Sequence, residues 1–450
     1  MASFLASQAL YLKIAMELRK TFSFLIPYFL FFILLSACST PKKITATFQP
    51  DILSDSNLVN AHVGISIYNP STNKYLYTHQ ADKYFIPASN TKLFTCYAAM
   101  KHLGDSLVGL KYLLRDSTII FQGTGDPTLL HPEFKMQPII NFLKRHRNLA
   151  ITDAGFAAER WALGWNIADV SSSYMPERSE MPVYGNVIRI RRNGDSITVS
   201  PPTLRNNIRD TTFKNWQIYF ERASLNDNFF LPKPGSQNFS YQEIPFVTGN
   251  FMSAWVLLID TLKNNIPLYS GKEKNFLKLH SQPTDSLLKP MMHRSDNFFA
   301  EQTLLMVSNE MTGVMNDAKI IDSLLKTDLK DLPQKPRWVD GSGLSRYNLF
   351  SPNDFVFLLN KMKNEFDWNR ITTILATGGE GTLSNYYINL KDRIFAKTGT
   401  LSNNLALSGF LITQQNKTLI FSVLVNNHMG NTTQIRKAVE KFLTEVAEKH

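Results

Sequence analysis

The chain has 450 residues, 44% of them apolar and 19% charged, which allows more than one hydrophobic core and excludes long disordered stretches. Its 48 Lys and Arg against 37 Asp and Glu leave a net charge of +11, which suits an anionic polymer or surface. No compact basic motif with interleaved aromatics is present, so nucleic acid is excluded as the expected partner, and the two cysteines, Cys38 and Cys96, do not suggest a metal site.

At the N-terminus, Arg19 and Lys20 precede an apolar run from Phe22 to Leu35, and the small residues Ser36 and Ala37 follow. Basic, then apolar, then small is the order of a secretory signal. The run is too short and ends too abruptly for a membrane span. Leu35-Ser36-Ala37-Cys38 resembles the lipobox of bacterial lipoproteins, in which the chain is cut before the Cys and the Cys carries a lipid. That resemblance implies a signal peptide over residues 1–37, a lipid on Cys38, and a place on the periplasmic side of the envelope, anchored to a membrane. Met16 is an alternative start. Residues 1–37 carry Lys13, Arg19, Lys20 and Glu17, a net of +2, so +9 remains after cleavage. With Cys38 lipidated, Cys96 has no partner for an intramolecular disulfide, and stability rests on the core.

Residues 38–60 are polar, with Pro41 and Pro50, and read as a tether. His62 to Tyr68 and Tyr75 to His79 alternate apolar and polar around Asn69-Pro70-Ser71-Thr72-Asn73, which predicts a hairpin. Thr91 to Leu103 has helical periodicity, with Leu93, Phe94, Tyr97, Ala98 and Met100. Residues 106–285 read as inserted, β-rich material, with short strands such as Val187 to Arg191 and Ser196 to Val199 about an Asn193-Gly194-Asp195 turn. The helical pattern returns from 286 onward, at Asn297 to Val307 and Ala318 to Lys326. Strands Asn404 to Leu411 and Thr418 to Val425 and a last helix, Gln434 to Ala447, close the chain. Strands at both ends around a helical middle predict an α+β fold: an antiparallel sheet built from residues 61–105 and 286–450, flanked by helices.

A serine hydroxyl needs a base within reach and donors for the developing oxyanion. Ser89-Asn90-Thr91-Lys92 supplies the first, because positions i and i+3 share a helical face. The spacing alone is weak, since Ser39/Lys42, Ser71/Lys74, Ser286/Lys289 and Ser323/Lys326 share it. Ser71 lies in the hairpin turn, Ser39 in the tether, Ser286 in a proline-flanked polar stretch and Ser323 in mid-helix. Ser89 alone follows a Pro-Ala step and opens a mostly apolar helix, at the positive end of its dipole. Ser295-Asp296-Asn297 sets a hydroxyl and an amide two apart; by itself Ser295 reads as a helix N-cap. Lys397-Thr398-Gly399-Thr400, on a strand from near Ile394, offers a charge, two hydroxyls and a glycine against which a ligand lies.

Ser-x-x-Lys, Ser-x-Asn and Lys-Thr-Gly in that order form the signature of the serine penicillin-recognising enzymes. The chain resembles the D-alanyl-D-alanine carboxypeptidase/endopeptidase family of penicillin-binding protein 4 type, peptidase family S13. The resemblance extends over Pro87 to Lys92, Gly123-Thr124-Gly125-Asp126-Pro127-Thr128-Leu129, Asp340-Gly341-Ser342-Gly343-Leu344-Ser345-Arg346, Gly379-Glu380-Gly381-Thr382-Leu383, Ala396 to Leu401 and Ala406-Leu407-Ser408-Gly409. It implies a transpeptidase/β-lactamase-like domain split by a long insertion. It implies that Ser89 attacks a D-Ala-D-Ala bond of a peptidoglycan peptide, Lys92 takes its proton, and the N–H groups of Ser89 and Thr400 hold the oxyanion. Ser295, with Lys397, passes a proton to the leaving group, and Asn297 holds a peptide carbonyl. Lys397, Thr398 and Thr400, with Gly399 between them, bind the terminal carboxylate. It implies no metal or cofactor, and β-lactams as covalent inhibitors. Asp126, Asp340 and Arg346 read as structural.

Two rival readings exist. A β-lactamase needs a deacylating base; the Glu-x-x-Leu-Asn pattern is absent, the nearest stretch being Glu221 to Asn226 with one residue too many. A noncatalytic wall-binding protein has no need to keep Ser89, Lys92, Ser295, Asn297 and Lys397 together.

Overall fold

The computed structural model describes residues 51–209, 215–271 and 273–450. The signal segment, Met16, Cys38 and the first part of the tether lie outside them. From residue 51 the stretch expected to be tether is folded: Asp51–Ser54 form a 3-10 turn, and Ile52 and Leu58 are buried, with Ile52 beside Phe442 of the last helix. Two apolar anchors in a polar stretch fall below what periodicity detects. No helix among the described residues is long and apolar enough to cross a membrane.

The main sheet has six antiparallel strands, in the order Ala376–Thr377, Ile394–Leu401, Asn404–Ile412, Thr418–Asn426, His62–Asn69 and Lys74–His79. Its central strands are buried almost throughout, so they read as continuous apolar runs. The helix Pro352–Glu365 packs on it, the helix Lys92–His102 packs between that helix and Asn297–Thr312, and Phe94, Phe299, Phe350, Phe355 and Phe410 share one core. Ala376–Thr377 pairs with Phe395 and Ala396, and among the described residues the outer edge of Lys397–Leu401 has no strand partner.

The chain leaves this layer at Gly104 and Asp105 and returns at Thr284, whose N–H donates to Asp105 O (2.9 Å) and whose hydroxyl donates to Gly104 O (2.7 Å). Between these points Ser106–Arg115 and Leu277–Pro283 pair in a four-stranded sheet with Thr118–Gln122 and Leu149–Ile151. Tyr241–Pro245, Val187–Asn193 and Ser196–Ser200 form a second sheet, and Ile218–Arg222 with Phe230–Pro234 a third. These elements have their own core around Phe121, Ile188, Phe220, Phe246 and Leu258. Thr284–His293 is helical rather than an irregular polar stretch: Leu287, Leu288, Met291 and Met292 are buried, and Ser286 and Lys289 lie on its other face. Pro283 stands at its cap and Pro290 in its last turn, where the sequence suggests a break.

Candidate active site

Ser89 sits in a 3-10 turn, Ala88–Thr91, and the α-helix begins only at Lys92. The sequence placed Ser89 at the helix start; the turn tightens that entry. Ala88 takes the left-handed region at φ +48, and Thr91 Oγ1 donates back to Ala88 O at 3.0 Å. Two glycines clasp the turn. A Cβ on Gly343 would stand 1.9 Å from Ala88 O, and one on Gly399 would stand 2.5 Å from Pro87 O. Gly399 was expected to clear space for a ligand. Its missing side chain instead lets the strand close on the chain's own nucleophile turn.

Lys92 is fully buried, and its Nζ lies 3.0 Å from Ser89 Oγ, 2.7 Å from Asn297 Oδ1 and 2.7 Å from Ser342 O. An ammonium donates to all three. A neutral amine still donates to the two carbonyl oxygens, which can only accept, and turns its lone pair to the Ser89 hydroxyl. Both protonation states are therefore fully hydrogen-bonded. Burial pushes the Lys92 pKa down to about 8, and the carboxylates of Asp340, Glu301 and Asp296 limit the fall.

Asn297 opens its helix, and its amide nitrogen donates to Tyr174 O at 3.0 Å, so a wall of the inserted region fixes its orientation. The N-cap of that helix is Asp296, which accepts from Phe299 N (2.9 Å). Ser295 is not the cap. It stands one residue earlier at φ +64, and no hydrogen bond ties its hydroxyl to Ser89, Lys92 or Asn297. A carboxylate next to a serine outcompetes it for the first-turn N–H groups.

Lys397 departs from expectation as well. It is fully buried, and its Nζ donates to Thr398 O at 2.9 Å. Burial holds its pKa well below the ordinary lysine value, and charge on Lys92 adds to the drop. It is not a solvent-facing cation for a carboxylate. Thr398 Oγ1 donates to Thr382 Oγ1 at 2.7 Å, and Thr400 is exposed.

A cleft of about 510 Å³ joins these parts. Ser89, Asn297 and Thr400 line it, with Arg346 and Ser402 at one end and Gly164, Asn166, Asp169 and Tyr174 from the inserted region as a wall. That wall is not legible in the sequence, because its loop has no periodicity. The loop Asp340 to Arg346 is held by the Asp340 carboxylate, which accepts from Gly343 N (2.8 Å), Ser345 N (2.7 Å), Asn348 Nδ2 (2.8 Å) and Trp165 Nε1 (3.0 Å). Behind it, buried Glu301 accepts from Ser342 N at 2.7 Å and pairs with Arg178 of the inserted region at 3.3 Å.

The family model described as the D-Ala-D-Ala carboxypeptidase 3 (S13) family matches residues 50–223 and 262–446. A D-alanyl-D-alanine carboxypeptidase from Actinomadura sp. (strain R39) is 26% identical over 462 residues, across 88% of this chain and 84% of that protein. The crystal structure of penicillin binding protein 4 (dacB) from Haemophilus influenzae matches with a TM-score of 0.69 at 18% identity, over 88% of this chain and 97% of that one. The same protein complexed with a β-lactam matches with a TM-score of 0.66, at 18% identity and with the same coverage. The fold is thus that of penicillin binding protein 4: mixed helices and antiparallel sheets with an extra β-rich region.

Proposed function

We propose that Ser89 is the acylated residue of this chain, which belongs to the D-Ala-D-Ala carboxypeptidase 3 (S13) family and is a serine-type D-Ala-D-Ala carboxypeptidase that binds penicillins. Its substrate is the peptide of peptidoglycan, and β-lactams acylate the same serine. The observation that carries the assignment is the buried Lys92 amine, 3.0 Å from Ser89 Oγ, with its other two positions taken by Asn297 Oδ1 and Ser342 O.

In the reaction Ser89 Oγ attacks the carbonyl carbon of the penultimate D-Ala as its proton passes to neutral Lys92. The C–N bond then breaks, and the leaving nitrogen takes the proton that Lys92 accepted, with Ser295 as relay. Water then attacks the ester as its proton passes to Lys92; the ester C–O bond breaks, Lys92 returns the proton to Ser89 Oγ, and the acid leaves. Asn297 does two things here: its oxygen fixes the Lys92 amine, and its place on the cleft wall sets it beside the acyl group.

The test is release of D-Ala from an acyl-D-Ala-D-Ala peptide as a function of pH. Neutral Lys92 is the active form, so the rate should rise about tenfold per pH unit below its pKa and level off above about 8. No release, or a rate that falls across the same range, contradicts the reading.

We also propose that residues 1–37 direct export and that Cys38 carries a lipid that holds the enzyme at a membrane on the periplasmic side, on the strength of Leu35-Ser36-Ala37-Cys38. Cys38→Ala should move the protein from the membrane to the soluble fraction; retention on membranes contradicts the anchor.

A further inference from the structure

The expected carboxylate site lacks its expected cation. Lys397 is fully buried, with its amine on Thr398 O and within reach of the Lys92 charge, so the two residues of this stretch that reach solvent, Thr398 and Thr400, offer hydroxyls only. Two guanidiniums stand near it: Arg346, which donates to Ser402 O at 3.1 Å, and Arg436, which alone of the two bonds a side chain of this stretch. Arg436, on the last helix Thr432–Lys449, donates from Nη2 to Thr400 Oγ1 at 2.9 Å. Its other support is the Tyr386 ring, 5.6 Å from Cζ to centroid. Glu440, one turn further along the helix, accepts from Tyr387 N instead, and Arg436 forms no ion pair among the described residues. Thr400 lines both the Ser89 cleft and the small cavity that Arg436 helps to form with Thr382 and Thr398. The guanidinium is therefore one hydroxyl away from the cleft, held in place and without a counter-charge.

We propose that Arg436 recognises the α-carboxylate of the leaving D-amino acid, acting with the Thr398 and Thr400 hydroxyls in the role expected of Lys397. This rests on the carboxypeptidase reading above. A guanidinium offers paired N–H donors to a carboxylate and keeps its charge at every pH at which the enzyme works. A carboxylate at Thr400 meets Arg436 directly once the Thr400 hydroxyl rotates to donate to it. Both a free C-terminal D-Ala and a D-centre of a cross-linked side chain present such a carboxylate, so the residue sets specificity for the acid and not for one of these two bonds.

The experiment compares an acyl-D-Ala-D-Ala peptide with its C-terminal amide, on the full chain, in the parent, Arg436→Gln and Arg436→Lys. Arg436→Gln should lower kcat/KM for the acid roughly 10- to 100-fold, the worth of one or two charge-assisted hydrogen bonds, and lower it for the amide far less. Arg436→Lys should recover part of the preference. If acid and amide fall together, the residue is structural and the proposal is wrong; an unchanged preference also overturns it. If the parent is labelled by penicillin on Ser89 but cleaves neither peptide, penicillin and its methyl ester replace the pair, with the same expectations. A parent that is neither labelled nor active sinks the carboxypeptidase reading, and this one with it.

Discussion

Lys92→Met is expected to abolish acylation of Ser89 and to cost at most about 3 kcal/mol of stability. The rate should fall roughly a thousand-fold or more, because the methionine sulfur cannot take the hydroxyl proton. Stability behaves differently because Lys92 is buried at a cost. Its pKa falls from 10.5 to about 8 on folding, which amounts to about 3 kcal/mol at neutral pH. Removing the charge recovers that amount. Against it stand two acceptors, Asn297 Oδ1 and Ser342 O, that lose their donor, at about 1–3 kcal/mol each. The sign with pH follows. Between about pH 8 and 10.5 the unfolded chain holds a proton that the folded chain has lost, so the parent gains stability as pH rises and the variant does not. Urea unfolding of both proteins at neutral and alkaline pH checks this. A variant more than about 3 kcal/mol less stable at pH 7 would show that Lys92 is a structural cation.

Arg178→Met should destabilise the protein by about 3–5 kcal/mol. Arg178 is 1% exposed and comes from the inserted region. Its Nη1 meets Asp317 Oδ2 at 2.5 Å and Glu301 Oε2 at 3.3 Å, while Nε and Nη2 donate to Glu159 O at 3.0 and 2.7 Å. Burial, with Asp340 nearby, already raises the Glu301 carboxyl to about 7, and Arg178, followed by the Ser342 hydrogen bond, opposes the rise. Without Arg178, Glu301 takes up a proton and loosens its hold on Ser342 N, whose carbonyl faces Lys92. Stability and acylation should therefore fall together. Thermal unfolding and penicillin labelling of the variant measure both, and a variant as stable as the parent would contradict the account of this link.

These two residues also mark where the sequence stopped being informative. Local patterns carried far: the hairpin at His62–His79, the helix after Ser89, the helix from Asn297 and the strands from Ile394 to Asn426 are all visible as periodicity and turn chemistry. Ser89, Lys92 and Asn297 are drawn together as their motif order implies. Arg178, Glu301 and Ser342 are separated by long stretches of chain, and nothing local in an isolated Arg or Glu reveals that it will be buried with a distant partner. Lys397 misled for the same reason: a lysine on a strand next to Thr and Gly reads as exposed, and only the packing of the Ser89 turn over Gly399 shows the strand face to be covered. Arg436 carried no motif at all, and its relevance comes from the C-terminal helix lying along the Thr400 edge.

The most direct test of the central claim is to incubate the folded chain with labelled benzylpenicillin, digest it and map the label. A stable covalent adduct on the peptide that contains Ser89, absent from Ser89→Ala, is the result this account predicts. No adduct on the parent, or an adduct that survives the substitution, would contradict it.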